Sequence, residues 1–306
     1  FFQAEDGIRD SSTSRGLGDV YKRQFDMTSF NNARIVRGPE TLLYGSNTIG
    51  GVIDVSRQSN LDLRFKKVSF LSLVGAESSN NGAFANFTIY VPIKGAMLNA
   101  DYELKPTVKH QFKLSLLRRS ADNQTTPLGV LENTGLSNDE LAASYSFFGS
   151  AHRTTISYEQ LKMDYGLPGS PEGHIDGVNL KMDKHSQKLN HHRDISFLNF
   201  QTFDLDQRFI NYNHSEFVTG SNFASVSMGQ NLFSLQGKLA GEQLTLGSLV
   251  QYRDFRAGGF YWTPDTEEIR VSLGETITPL VNFPRLASSL GSNEETAFFK
   301  DESRLP

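Results

Sequence analysis

The most informative segment of the sequence is ARIVRGPETLLYGSNTIGGVIDVSRQ, residues 33–58. It opens with a short apolar run, Ala33–Val36, which the Gly38-Pro39 pair ends. Proline suits the first position of a helix, so the residues that follow predict a single helical turn. A polar loop then leads to Gly50-Gly51, and the apolar residues of 52–55 predict a second strand.

Three motifs within this stretch, in this order and spacing, resemble the end of the plug domain of TonB-dependent outer-membrane receptors. They are Val36-Arg37-Gly38-Pro39, Leu43-Tyr44-Gly45-Ser46 and Gly50-Gly51-Val52-Ile53. In that family such a string leads directly from the plug into the barrel. The resemblance implies that Arg37 pairs with barrel carboxylates. It also implies a plug turn motif made of Gly38, Pro39, Tyr44, Gly45, Gly50 and Gly51.

The composition of the whole chain excludes several classes of protein. The 306 residues carry a formal net charge of −4, which argues against a nucleic-acid partner because such proteins are usually basic. The chain has no cysteine, so disulfide scaffolds, thiolate zinc sites and cysteine nucleophiles are excluded. No apolar run is long enough for a membrane helix, whereas the strands of a transmembrane barrel alternate and need no such run.

Downstream of residue 62, apolar and polar residues alternate with period two, which is typical of strands whose two faces meet different surroundings. The alternation is present over 83–91, 111–116 and 233–239, is clearest over 98–105 and 243–253, and is weak over 185–197 and 198–214. Because lipid demands an apolar exterior, we expect the apolar members to face outward and the plug segment to lie on the opposite side.

The connections between these segments are of two kinds. Tight-turn residues stand at 148–150, at 240–242, and at either Lys94-Gly95 or Lys105-Pro106. Long polar connections are expected around 120–138, 165–184, 215–228 and 257–293. Short turns at one rim and long loops at the other predict an outer-membrane barrel with periplasmic turns and extracellular loops.

Three regions are expected along the chain. Residues 1–24 resemble the conceptual translation of a sequencing adapter and should pack on nothing. Residues 25–62 are expected to end a plug domain, and residues 63–306 to form the N-terminal part of a truncated barrel, with about ten strands. Closed, plugged transporters use roughly 22 strands. The predicted fold class is therefore all-β: an antiparallel transmembrane β-barrel, partial and open, with the remnant of a plug.

The histidines between residues 174 and 214 are the candidates for ligand or metal contact. Imidazole beside carboxylates such as Asp176 and Asp183 would suit zinc or haem iron. No spacing matches a recognised ligand motif, so ordinary polar barrel residues are the alternative, and His191 and His192 should point to opposite strand faces. The predicted contacts are His174, His185, His191 and His214.

Taken with the resemblance, these observations predict an outer-membrane receptor for active uptake of a scarce metal chelate, a ferric siderophore first, with zinc or haem as alternatives. The resemblance implies the TonB energy-transducing complex, the chelate and the lipid bilayer as partners, in the outer membrane of a Gram-negative bacterium. We expect no enzyme and no cofactor, because no nucleophile elbow or paired carboxylates stand ready for catalysis. The alternatives are a passive porin-like channel, which would lack a plug, and a secreted soluble β-sheet protein that binds carbohydrate.

Overall fold

A computed structural model of the chain describes residues 32–37, 52–56, 64–98, 104–169, 175–259, 266–277 and 293–301. Within these ranges the regular secondary structure consists of β-strands, as the alternation predicts. The strands are β1 (Asn32–Val36), β2 (Val52–Ser56), β3 (Ser69–Glu77), β4 (Gly82–Leu98), β5 (Leu104–Ala121), β6 (Gln124–Thr126), β7 (Gly129–Leu131), β8 (Leu136–Phe148), β9 (His152–Leu167), β10 (Val178–Phe197), β11 (Phe200–Val218), β12 (Val226–Gly241), β13 (Leu244–Gly259), β14 (Thr266–Ile277) and β15 (Asn293–Asp301). In the same ranges no helix is long and apolar enough to cross a membrane.

The first two strands form an antiparallel hairpin of their own. Val36 lies opposite Val52, so the apolar runs on either side of residues 38–51 pair with each other. The helical turn and glycine motif predicted between them fall on residues 38–51, outside the described residues. The adapter-like residues 1–24 lie outside them as well.

In the part of the chain that the structure describes, eleven strands form one antiparallel sheet. Each strand pairs with its neighbours in the order β3, β4, β5 and then β8 to β15. The small hairpin of β6 and β7 stands inside the connection between β5 and β8. β3 and β15 are the two ends of the sheet order, so the sheet is open. The prediction of an open antiparallel sheet with about ten strands is confirmed.

The two rims of the sheet differ in the length of their connections. We call the rim with residues 149–151, 198–199 and 242–243 the short-turn rim, and the opposite rim, with 122–135, 168–177 and 219–225, the long-loop rim. The predicted asymmetry is therefore present. Two connections depart from it: 78–81 is a short turn at the long-loop rim, and 278–292 is a long connection at the short-turn rim.

Three details of the predicted strand pattern are wrong. Neither Lys94-Gly95 nor Lys105-Pro106 is a turn, because both lie inside strands, and Leu98 pairs with Leu104 across a reversal that divides the predicted segment 98–105. Gly95 makes room rather than a turn: a Cβ there would come within 3.1 Å of the Lys109 Cβ. A register shift at Ile93/Lys94 absorbs the irregularity.

The third error concerns the predicted long connection 257–293. Its middle is strand β14, which pairs with β13 along its whole length and places Val271 opposite Val250. Two adjacent glutamates, Glu267 and Glu268, interrupt the alternation of β14, so pairing with its neighbours, and not its own pattern, defines this strand.

Candidate functional site

One face of the eleven-stranded sheet is apolar and exposed. Directly opposed residues of neighbouring strands share a face, and the register aligns Phe87 with Leu116 and Leu235 with Val250. The side that carries them, here called the apolar face, includes Ile89, Phe112, Leu114, Leu141, Ile156, Leu189, Phe209, Phe233, Tyr252, Ile269 and Val271. The alternation predicted over 83–91, 111–116, 233–239 and 243–253 therefore describes a single continuous surface.

This apolar surface occupies the half of the face nearer the short-turn rim. Towards the long-loop rim the same face becomes charged: Arg118 Nε lies 3.7 Å from Asp139 Oδ1, and Arg256 Nη2 lies 3.1 Å from Asp254 Oδ2. An apolar band that ends in charged rows matches a slab of hydrocarbon bounded by water on one side.

Aromatic and imidazole rings line the border of the band at the short-turn rim. Tyr145 and Phe147 stand beside His110, with ring centroids 5.8 and 5.2 Å away. The row continues from Phe147 to His152 at 5.4 Å, and from His152 to His191 at 6.2 Å. Amphipathic rings of this kind favour the boundary between an apolar and a wet medium.

The opposite side, here called the polar face, is the enclosed one. Along β9 the exposed fractions of Thr155, Ile156 and Ser157 are 1%, 54% and 8%, so the hydroxyl-bearing side chains are covered while the isoleucine is not. Thr155 Oγ1 and Ser146 Oγ, which lie opposite one another, are 2.9 Å apart. Buried polar groups need hydrogen-bond partners of this kind. The polar face is therefore a hydrogen-bonded interior and not a solvent-exposed surface.

Charged groups on the polar face are paired across strands. Lys188 Nζ lies 3.6 Å from Glu159 Oε1, and His192 Nδ1 lies 2.6 Å from Asp204 Oδ1. His191 and His192 point to opposite faces, as predicted for neighbours in a strand. The polar face can therefore hold charge next to water or to a second polar surface without leaving these ions bare.

The chain enters the sheet across this polar face. Just before β3, the Phe65 backbone N–H donates to Gln111 Oε1 at 2.9 Å, and the Phe65 ring stacks on Tyr90 at 4.2 Å. The Arg64 guanidinium lies 4.6 Å from the centroid of the buried Phe148 ring. Gln111, Tyr90 and Phe148 all belong to the polar face, so the segment that arrives from the N-terminal hairpin rests on that side.

The predicted plug residues are only partly described. Arg37 directly follows β1 and its side chain is exposed. The turn-motif residues Gly38, Pro39, Tyr44, Gly45, Gly50 and Gly51 lie outside the described residues. The pairing of Arg37 with barrel carboxylates stays a prediction.

The predicted histidines do not lie on one face. His185 and His191 belong to the apolar face, where their Nδ1 atoms lie 2.8 Å from Tyr158 Oη and from Thr154 Oγ1, respectively. His214 belongs to the polar face, and His174 lies outside the described residues. Among the residues that are described, no group of three or more His, Asp or Glu side chains could hold a metal ion.

Sequence reasoning overlooked Phe65, Gln111 and Tyr90, because single polar or aromatic residues carry no signal of a contact so distant in sequence. It also overlooked Met182 and Met228, which only the register brings beside His214. Period-two alternation is enough to place the strand residues among them on the polar face. It does not predict which of them contact each other.

No protein-family model matches the sequence, and no curated protein matches it. Solved structures with similarity include the unliganded ferric citrate transporter FecA (13% identity, 81% of this chain and 47% of that chain, TM-score 0.42). Two others are the ferric yersiniabactin uptake receptor FyuA from Yersinia pestis (10%, 89% and 48%, 0.39) and CdiB from Acinetobacter baumannii (12%, 90% and 45%, 0.33). The chain spans about half the length of each of these proteins.

Proposed function

We propose that this chain is part of a TonB-dependent outer-membrane receptor that takes up a scarce metal chelate. The observation that carries the proposal is the division of the sheet into an exposed apolar face and an enclosed polar face. A soluble sheet would bury its apolar residues and expose its polar ones, whereas Ile156 is exposed between the covered Thr155 and Ser157. The plug-like string of residues 33–58 and the path of Phe65 over the polar face favour a receptor over an open channel.

The proposed roles follow from the two faces. The apolar face meets lipid, and the long-loop rim faces the cell exterior, where the chelate is captured. The N-terminal hairpin belongs to a plug on the polar side, in which Arg37 pairs with barrel carboxylates. Energy from the TonB complex acts on the plug, and a ferric siderophore is the substrate we propose first, with zinc and haem chelates as the alternatives.

The orientation of the sheet can be tested by cysteine labelling, because the chain has no cysteine of its own. Val250→Cys and Gln251→Cys are neighbours on opposite faces of β13 and form a matched pair. In lipid vesicles a water-soluble maleimide should label Gln251→Cys quickly and Val250→Cys hardly at all, and unfolding the protein in urea should abolish the difference. Equal labelling in vesicles would contradict a lipid-facing apolar side and favour the soluble carbohydrate-binding alternative.

The transport role needs a separate experiment in cells. Deleting the gene should abolish accumulation of radiolabelled ferric siderophore under iron limitation, and restoring the gene should recover it. Uptake that continues after the proton gradient is collapsed would instead indicate a passive channel.

A further inference from the structure

The register of four successive strands places three methionines and a histidine in a single row. Met163 of β9 lies opposite Met182 of β10, Met182 lies opposite His214 of β11, and His214 lies opposite Met228 of β12. We call these four residues the methionine–histidine row. It belongs to the polar face, a few residues below the long-loop rim. Side chains opposed in this way have Cβ atoms only about 4.5–5.5 Å apart.

The thioether of Met182 and the imidazole of His214 meet the same hydroxyl group. Tyr212 Oη donates to Met182 Sδ at 3.4 Å, and it lies 3.1 Å from His214 Nδ1. In the tautomer whose Nδ1–H donates to the tyrosine oxygen, the lone pair lies on Nε2, where it can bind a metal ion.

That Nε2 atom is buried without a hydrogen bond. His214 is 5% exposed, and no hydrogen-bond partner reaches Nε2. Glu216 Oε1 lies 3.2 Å away, close enough for an ion pair but not aligned for a hydrogen bond. Two acceptor atoms held this close inside a protein repel each other unless a cation or a proton stands with them.

Packing explains part of the row. Met163 belongs to an apolar cluster with Tyr165 and Leu180, and Met182 packs against that cluster, so the burial of these two methionines by itself needs no ligand. Met228 stands on the other side of His214, away from that cluster's central residues. Methionine is flexible enough for both flanking sulfurs to swing towards the imidazole.

From this arrangement we propose that Met182, His214 and Met228 form a binding site for monovalent copper. Two thioethers and one imidazole make a soft donor set, which selects Cu(I) over zinc or ferrous iron. This inference does not rest on the proposed function, because it depends only on the register and on the contacts of His214. It is also separate from the chelate, since the ligand here is the bare ion.

The test uses Ag(I) as a redox-stable probe and Cu(I) kept reduced by ascorbate, titrated into the full 306-residue chain folded in detergent micelles. We expect saturable binding of one ion. Met182→Leu and Met228→Leu, which keep the apolar volume, should each weaken binding at least about tenfold, since even the loss of a residue that only orients a metal ligand weakens binding by that factor. Met97→Leu, in β4 and outside the row, is the matched control and should bind like the unaltered chain.

An oxidation experiment provides a second readout that requires no variant. Bound Ag(I) should protect Met182 and Met228 from peroxide, as read by mass spectrometry, while Met97 in the same molecules oxidises at an unchanged rate. Zinc should give no protection. Binding that survives both leucine substitutions, equal protection of Met97, or no saturable binding at all would overturn the proposal.

Discussion

Leu114 is a single residue on which the proposed contact between the apolar face and lipid can be tested. It lies between Ile89 and Ala143 in the register, near the middle of the apolar band, and is 41% exposed. Leu114→Arg should lower the free energy of unfolding from lipid vesicles by about 2–4 kcal/mol, because a cation at mid-bilayer depth has no water to solvate it. Urea titration of the vesicle-bound protein measures this loss.

The control for that prediction lies on the same face. Asn213 points to the same side but stands beyond the band, towards the long-loop rim. Asn213→Arg should therefore cost only about 0–1 kcal/mol, as for positions near the interface. If the two arginines cost the same, the band is not a membrane slab.

Thr155 provides the corresponding prediction for the polar face. Its buried hydroxyl lies 2.9 Å from that of Ser146. Thr155→Val keeps the shape and should destabilise the protein by about 1 kcal/mol through the lost hydrogen bond. A double-mutant cycle with Ser146→Ala isolates the interaction, since the loss should shrink once Ser146 is already alanine. Additive losses would mean that the two hydroxyls do not interact.

At the scale of the element, the turn between β10 and β11 contains an unfavourable residue. Leu198 and Asn199 form this two-residue turn with φ angles of 46° and 69°. Two consecutive positive φ angles are typical of type I′ hairpins, which prefer Asn-Gly, and leucine pays a steric penalty there.

Leu198→Asn should therefore stabilise the hairpin by about 1 kcal/mol, since it relieves the strain of a left-handed leucine. The measurement is the free energy of unfolding, compared with the unaltered chain. Asn199→Leu places the same strain at the next position and should destabilise by a similar amount. A stability unchanged by both substitutions would show that the turn does not hold these angles.

The sequence predicted some elements well and others poorly, for identifiable reasons. β12 and β13 were predictable because each has one apolar and one polar side throughout its alternating part. The turn at Leu198 was not, because it contains neither glycine nor proline, and β14 was not, because pairing overrides its weak pattern. Gly95 was wrongly predicted to lie in a turn. Glycine is found both in turns and where a neighbouring side chain needs room, and at Gly95 the second reason applies.

For the whole molecule, the connections at the long-loop rim form a tied structure and not a set of separate loops. The backbone N–H of Asp122 donates to Asn80 O at 2.8 Å, which joins the first long loop to the turn between β3 and β4. Asn133 Nδ2 donates to Leu167 O at 2.6 Å and so reaches the next loop. The tip of the β6–β7 hairpin stands clear of these ties, with Leu128 fully exposed.

This arrangement predicts where a foreign segment can be inserted. A short epitope after Leu128 should leave folding intact and be stained by antibody on unbroken cells, because the tip makes few contacts and lies on the exterior side. The same epitope after Asn199, at the opposite rim, should be stained only after the outer membrane is permeabilised. Staining of both in unbroken cells would contradict the proposed orientation.

At this scale, the fold class and the division into faces were predictable, because period-two alternation fixes which side of a sheet each residue occupies. The register was not, because alternation is indifferent to a shift by two residues. The polar-face contacts of Phe65 and the row that joins Met182 to Met228 depend on register alone. Sites built across strands are therefore visible only in the folded molecule.

The path of Phe65 over the polar face has a mechanical consequence. A force applied to the N-terminal hairpin reaches Arg64 and Phe65 before it reaches β3. There it meets the contact of Arg64 with the Phe148 ring, one hydrogen bond from Phe65 to Gln111 and one ring stack on Tyr90. Those three contacts are weaker than the ladder of bonds that ties β3 to β4. The anchor at Phe65 therefore works as a mechanical fuse: it yields under tension first, and the wall of strands behind it remains in place while the hairpin is drawn away.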